Sequence, residues 1–301
     1  MEQSEKNFSM LRKSILLLEA CRPHQWVKNL LLVVPALLAH YRLDEETIKK
    51  LIIAVISFSA IASAIYLFND LVDLRQDRLH PVKKNRVLAR GDLSTPIVLI
   101  LFLCLVALSI WLGWQLSIYF VWMIGFYILF NLIYSFKLKH VTIVNALMLA
   151  TFYNWRILSG GIAAGILISP WLLGFSNFFF LSLASCKKCA DINVLATTSS
   201  SATDKVYEIR DLQFLSVLGL GSGLLSVLVL AIYITQEDVL AHYSHSEFLW
   251  ILCLVLLYWI MRQWLLTSRQ KMLTDPVLFA VKDSVTYFVG VLVLVILFLA
   301  R

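Results

Sequence analysis

The sequence predicts an all-α, polytopic membrane protein with about nine transmembrane helices, and three observations carry that prediction. Of the 301 residues, 60% are apolar and 15% charged, against about 45–50% and about 25% in soluble chains. Mean hydropathy is +0.80, more apolar surface than a soluble domain of this length can hide. Apolar stretches near the ~20 residues needed to cross a bilayer core recur along the chain. The longest polar stretches, 69–95 and 188–211, have fewer than thirty residues each. No soluble domain fits between them, so a single transmembrane domain over 1–301 is expected.

Each element follows in order. Residues 1–22 place charges on both sides of the apolar run 15–18 and lack a small-residue cleavage site. They read as a cytosolic lead-in helix rather than a signal peptide. The expected spans are 24–40, 47–68, 96–113, 117–135, 142–164, 169–187, 212–234, 247–266 and 284–300. The first carries Pro35 and is the least regular. With the N-terminus inside, 21 of the 26 Lys and Arg residues fall on inside segments. Outside ends keep Arg42, Lys49, Lys50 and Arg301, and Arg156 lies within a span. This bias predicts a multi-pass protein of the cell (inner) membrane, N-terminus cytoplasmic, with 69–95 on the cytoplasmic face. The net charge of +7 is then topological, and no nucleic-acid partner is expected. Oligomeric state is not specified.

Several patterns carry no site. Cys186 and Cys189 have a metal-like spacing, but no second pair completes it. The six histidines form no i,i+4 pair, so no zinc is expected. Gly219, Gly221 and Gly223 lie within a span, where small residues let helices approach closely.

The stretch "NDLVDLRQD" is different. At about 100° per residue, Asp70, Asp73 and Asp77 share one helix face, with Asn69 on its flank. Oxygen ligands so placed suit Mg²⁺, which takes one or two protein carboxylates and completes its shell from water and substrate phosphates. Lys83, Lys84, Arg86 and Arg90 follow at once, and such donors suit phosphate oxygens. A metal-bridged diphosphate at the membrane face fits; a solvated loop whose Asp and Arg residues pair locally is the bland alternative.

Other candidates are weaker. In "RPHQWVKN", Lys28 and Asn29 lie inside a span, although Arg22 and Lys28 would also serve as snorkelling interface residues. In "YSFKLKH", Tyr134 and Lys139 could reach one face. Arg156 sits about mid-span and needs a partner or a wet cavity; Asn145 and Asn154 share its helix. Asp275-Pro276 reads as a helix start.

With these residues in view, the chain resembles the UbiA superfamily of membrane prenyltransferases along nearly its whole length. "NDLVDLRQD" is similar to that family's first Asp-rich motif and "YSFKLK" to its short motif after the fourth span. "RPHQWVKN", "DRLHPVKKNRVLARG", "RILSGGIA" and "DPVLFAVKD" most resemble the decaprenyl-phosphate phosphoribosyltransferase branch. The resemblance implies a UbiA-type helix bundle and an Mg²⁺-dependent transfer of 5-phosphoribosyl from phosphoribosyl diphosphate (PRPP) to a polyprenyl phosphate. It assigns Asn69, Asp70, Asp73 and Asp77 to the metal and diphosphate, the three aspartates being catalytic. Lys28, Lys83, Arg86, Tyr134 and Lys139 would hold phosphates or ribose. Arg156, Lys187 and Lys188 would hold the lipid phosphate or the 5-phosphate, and membrane lipid would enter sideways.

Two departures keep other readings open. Asn145 stands where an acidic residue is expected in that branch, and Asp204 and Glu208 of "DKVYE" could form a degenerate second acidic motif. An aromatic polyprenyltransferase, joining a polyprenyl diphosphate to an aromatic acceptor, is therefore the first alternative. A non-catalytic lipid carrier or transporter is the second.

Overall fold

A computed structural model describes residues 12–38, 44–79, 83–197, 206–272 and 275–300, and every regular element among them is helical. Residues 1–11 of the expected lead-in helix, 39–40 of the first expected span, and Asp204 and Lys205 lie outside the described residues. The helices are α1 (12–20), α2 (Val34–Leu38), α3 (Glu45–Val72), α4 (Leu74–Leu79), α5 (Val87–Arg90), α6 (Thr95–Leu116) and α7 (Ile118–Phe136). They continue as α8 (Val144–Ala164), α9 (Pro170–Thr197), α10 (Asp211–Ile234), α11 (Glu237–His242), α12 (Leu249–Ser268), α13 (Pro276–Ala280) and α14 (Ser284–Ala300). The chain divides into two compact units. The first takes the described residues up to 137 together with Trp155–Leu167, and the second takes Leu138–Asn154 and the described residues from 168 onward.

Five helices are long and apolar enough to cross a membrane among the described residues: Glu45–Val72, Thr95–Leu116, Ile118–Phe136, Asp211–Ile234 and Ser246–Ser268. The other four expected spans are helical too, but are not among these five. The segment Pro23–Val33 is a 3-10 helix, continued by the short α2. At 11 residues this 3-10 run is longer than the i→i+3 pattern usually sustains. Helix α8 carries Asn145, Asn154 and Arg156, all buried. Helix α9 ends in the polar run that includes Lys187 and Lys188. Helix α14 is an apolar helix of 17 residues that coincides with the expected ninth span.

In the first unit α3 is the organising element. Asp44 caps it by accepting from the Thr47 N–H, and Glu45 and Glu46 complement the helix dipole. Its small residues are buried, so neighbours come close: Ser57 donates to the Ser109 carbonyl on α6 at 2.9 Å. Phe58 meets Phe120 and Tyr127 of α7. Ala20, Leu67, Val87, Leu88, Leu93 and Val98 form a buried cluster that seats α1 and α5 against the end of α3. Arg90 at the end of α5 adds an ion pair to Glu19 on α1 at 3.3 Å. The Trp155–Leu167 segment crosses the 3-10 helix at Gly160, where a Cβ would stand 2.0 Å from the Leu32 carbonyl oxygen.

In the second unit α10 packs between α9 and α12. Gly219 makes the approach feasible, since a Cβ there would overlap the Trp264 ring. Trp264 donates to the Ser182 hydroxyl at 3.0 Å. Near the C-terminus Arg262 holds Asp283 with two hydrogen bonds, at 2.7 and 2.9 Å.

Candidate active site

The acidic stretch emerges where α3 stops. The expected single helix through Asp77 breaks at Asp73, which ends α3 at φ −90° and ψ 6°. The hydrogen bonds of the ladder persist across the break, from Asp73 N–H to Asn69 and from Asp77 N–H to Asp73. The i,i+7 relationship is therefore kept, and Asp70 and Asp77 still point to a common place. Asp73 itself is half-buried.

Two arginines occupy that place. One Arg86 nitrogen donates to Asp70 Oδ1 at 3.0 Å and to Asp77 Oδ2 at 2.5 Å. Arg22 donates to the same Asp70 oxygen at 2.5 Å, and its guanidinium lies 5.1 Å from the Tyr66 ring centroid, a cation–π distance. Local Asp–Arg pairing therefore exists, but not in a solvated loop: Asp70 is 6% and Asp77 2% exposed. Burial pushes the Asp77 carboxyl above the ordinary carboxylate range, and the Arg86 guanidinium pulls it only part of the way back.

The same geometry tests whether these residues suit a divalent ion. Two carboxylate oxygens from different turns converge on one cationic atom, and hard oxygen donors are what Mg²⁺ requires. Among the described residues no three acidic, His or Cys side chains cluster as a self-sufficient metal cage. Two carboxylates completed by phosphate oxygens match the usual Mg²⁺ pattern, so the residues fit. Asn69, half-buried, accepts a hydrogen bond through Oδ1 from Ser135 at 2.6 Å.

A second polar cluster lies in the same unit. Arg156 is 5% exposed; its Nε donates to Asn29 Oδ1 at 2.9 Å and its NH2 to the Tyr127 hydroxyl at 3.0 Å. Asn29 donates in turn to Ser59 at 3.0 Å, and Trp26 to Ser63 at 2.9 Å. Lys28 is buried on the same 3-10 helix, which removes the snorkelling reading for it. Tyr134 and Lys83 are half-buried.

Lys139, Lys187 and Lys188 belong to the second unit and are half-buried. The Lys139 carbonyl accepts from Asn145 at 2.5 Å, so Asn145 secures the bend before α8. Lys187 lies 3.6 Å from Asp275, whose carboxylate also caps α13 at Val277. Sequence reasoning had no role for Tyr127 or Ser135 and gave Arg22 no acidic partner. Positions 22 and 70 are joined by no periodicity, so nothing in the sequence announces that pair.

Carboxylates and guanidinium groups thus cluster where a helix long and apolar enough to cross a membrane ends. The family model of the UbiA prenyltransferase family matches residues 29–284. The chain belongs to that family and is a transferase of the UbiA type, integral to the membrane.

The protein y4nM of Sinorhizobium fredii is 32% identical over 281 residues, covering 92% of this chain and 54% of its own length; the chain spans about half of that relative. Nodulation protein NoeC of Azorhizobium caulinodans is 31% identical over 271 residues, 88% of this chain and 87% of NoeC. Decaprenyl-phosphate phosphoribosyltransferase of Mycobacterium tuberculosis is 31% identical over 234 residues, 76% of each chain. Among solved structures, a UbiA homolog from Archaeoglobus fulgidus bound to DMAPP and Mg²⁺ superposes with TM-score 0.65 at 13% identity. It covers 91% of this chain and 98% of that one. The same homolog bound to GPP and Mg²⁺ gives TM-score 0.62 at 13% identity, covering 91% and 99%. The shared fold is the UbiA fold.

Proposed function

We propose that this transferase moves a 5-phosphoribosyl group from PRPP to a polyprenyl phosphate in a divalent-metal-dependent reaction. The observation that carries the diphosphate part is the convergence of Asp70 and Asp77 on one cationic atom, with Arg22 and Arg86 beside them. The donor assignment is supported by the relatives named decaprenyl-phosphate phosphoribosyltransferase.

In this reading Asp70 and Asp77 are the principal ligands of Mg²⁺, with Asn69 and Asp73 completing the motif. The bound ion supplies charge neutralisation to the leaving diphosphate. Arg22, Arg86 and Lys83 supply donors to the same oxygens. A lipid phosphate oxygen attacks C1 of ribose; the new C–O bond forms as the C1–diphosphate bond breaks and its electron pair leaves with the diphosphate. The attacking phosphate is already ionised, so no side chain has to act as general base. The protein's contribution is positioning and electrostatic stabilisation. Lys28, Arg156 and Tyr134 are assigned to phosphate or ribose oxygens. Lys139, Lys187 and Lys188 are assigned to phosphate on the family resemblance. The whole chain is proposed to act as one catalytic domain of the inner membrane, N-terminus cytoplasmic and site on the cytoplasmic side.

The second reading is aromatic prenyl transfer, favoured by one observation: the structural neighbours are bound to DMAPP or GPP with Mg²⁺. Purified protein incubated with Mg²⁺, labelled PRPP and a polyprenyl phosphate separates the two. Phosphoribosyl-lipid is the expected product. Its absence, together with prenylation of an aromatic acid from a polyprenyl diphosphate, would select the second reading.

A further inference from the structure

We propose that Arg22 and Arg86 are placeholder cations, which make the acidic site accept its divalent ion together with a diphosphate rather than alone. The inference rests on reading Asp70 and Asp77 as metal ligands. It concerns the two arginines, and it goes beyond that reading by fixing the order in which the site fills.

Both arginines are built into position from outside the acidic helices. Arg22 holds a left-handed backbone, φ 53° and ψ 59°, at the start of the 3-10 helix, a conformation that non-glycine residues seldom adopt. Arg86 caps α5, whose far end turns on Gly91 at φ 83°. Val87 and Leu88, immediately after Arg86, are buried in the cluster that includes Leu67 of α3. The guanidinium groups are thus delivered to the carboxylates by packed backbone, unlike an incidental surface pair.

Charge then decides the order of filling. The ion pairs link two carboxylates to two guanidinium groups, so the charges cancel. A divalent ion arriving alone must take oxygens the arginines hold and leaves those four side chains with a surplus of two positive charges, of which Asp73, the third carboxylate of the motif, can offset one. Asp70 and Asp77 are buried, and poorly hydrated charge without a counter-charge is strongly disfavoured. A diphosphate arriving with the ion restores the balance and offers each displaced guanidinium paired oxygen acceptors, the geometry arginine binds best. The arginines that close the empty site therefore become donors to the substrate, and uptake of ion and diphosphate is reciprocally coupled.

Equilibrium dialysis of the full chain in detergent micelles measures protein-bound Mn²⁺ directly, alone and with inorganic pyrophosphate at matched free Mn²⁺. The wild type should bind Mn²⁺ alone about tenfold or more weakly than Arg86→Gln, and pyrophosphate should tighten wild-type binding by a similar factor. Arg86→Gln should respond much less to pyrophosphate. Arg86→Lys keeps the charge and should follow the wild type, which a merely structural role for the side chain would not produce. Should Arg86→Gln fail to fold, Arg22→Gln makes the same comparison at Asp70. Equal affinity of the wild type and the Gln variants for Mn²⁺ alone overturns the proposal and leaves the metal reading standing. No Mn²⁺ on any of them, with or without pyrophosphate, overturns the metal reading and the proposal together.

Discussion

The Nε of Arg156 donates to Oδ1 of Asn29 at 2.9 Å, so a cation halfway along α8 is tied to the 3-10 helix through a neutral amide. Hydrogen bonds to charged groups contribute about 1.5–3 kcal/mol, and this one is fully desolvated on the Asn29 side, which is 0% exposed. Asn29→Ala should lower stability by that amount, read as a drop in the thermal midpoint in detergent. Arg156→Lys should not preserve the wild-type midpoint. A single ammonium cannot span the Asn29 amide and the Tyr127 hydroxyl as the planar guanidinium does.

Asp77 tests the chemistry. Asp77→Asn keeps the shape but removes the charge that meets Arg86. Transfer activity should fall by about two to three orders of magnitude, the usual cost of removing one electrostatic contributor to a transition state. The wild type's response to added Mg²⁺ should vanish with it. A variant whose turnover still rises with Mg²⁺ would remove Asp77 from the metal set.

The parts of this arrangement that were legible in the sequence are those governed by local period. Asp70 and Asp77 are seven positions apart, and that spacing survives the break at Asp73. The spans α3, α6, α7, α10 and α12 are continuous apolar runs, and they form as expected. What was hidden depends on contacts between distant positions. Arg22 reaches Asp70 across 48 residues, and Arg156 reaches Asn29 across 127. The Pro23–Val33 segment was expected as part of a span on its composition; that it forms a 3-10 helix, crossed closely at Gly160, depends on contacts that no local period shows.

That crossing gives a third prediction. A Cβ at position 160 would stand 2.0 Å from the Leu32 carbonyl oxygen, which is backbone and cannot rotate away. Overpacking of this kind costs about 1–3 kcal/mol and sometimes more. Gly160→Ala should therefore lower the thermal midpoint and Gly160→Val should lower expression of folded protein. Gly125, with open space where a Cβ would stand, is the control: Gly125→Ala should leave the midpoint nearly unchanged.

Acid stability should be sensitive to Asp283. Burial alone would raise its carboxyl pKa, but hydrogen bonds from Arg262 and Thr286 outweigh it and hold the value below the ordinary 3.8. A carboxyl depressed on folding contributes stability that is present above its unfolded value and lost as pH falls through the folded one. The thermal midpoint should thus decline below about pH 4. Asp283→Asn should start lower at neutral pH and show a shallower decline; an unchanged acid limb would show that the pair contributes nothing there.

Gln263 supplies the last prediction. It lies on α12 with 0% exposure, and among the described residues neither its amide nitrogen nor its amide oxygen has a hydrogen-bond partner. The Ser185 hydroxyl on α9 likewise has no partner among the described residues. The Trp264–Ser182 and Thr267–Cys186 contacts, which flank Ser185 on α9 and lie one and four positions after Gln263 on α12, put both residues at the α9–α12 interface by helical register. An unsatisfied buried polar group costs about 1–3 kcal/mol, whereas an apolar residue of similar shape carries no such penalty. Gln263→Leu should therefore raise the thermal midpoint, and Gln263→Ala should lower it by opening a cavity. The two substitutions separate the polar penalty from the packing. Destabilisation by leucine as well as alanine would mean that the amide has a partner, such as a bound water, that leucine cannot hold.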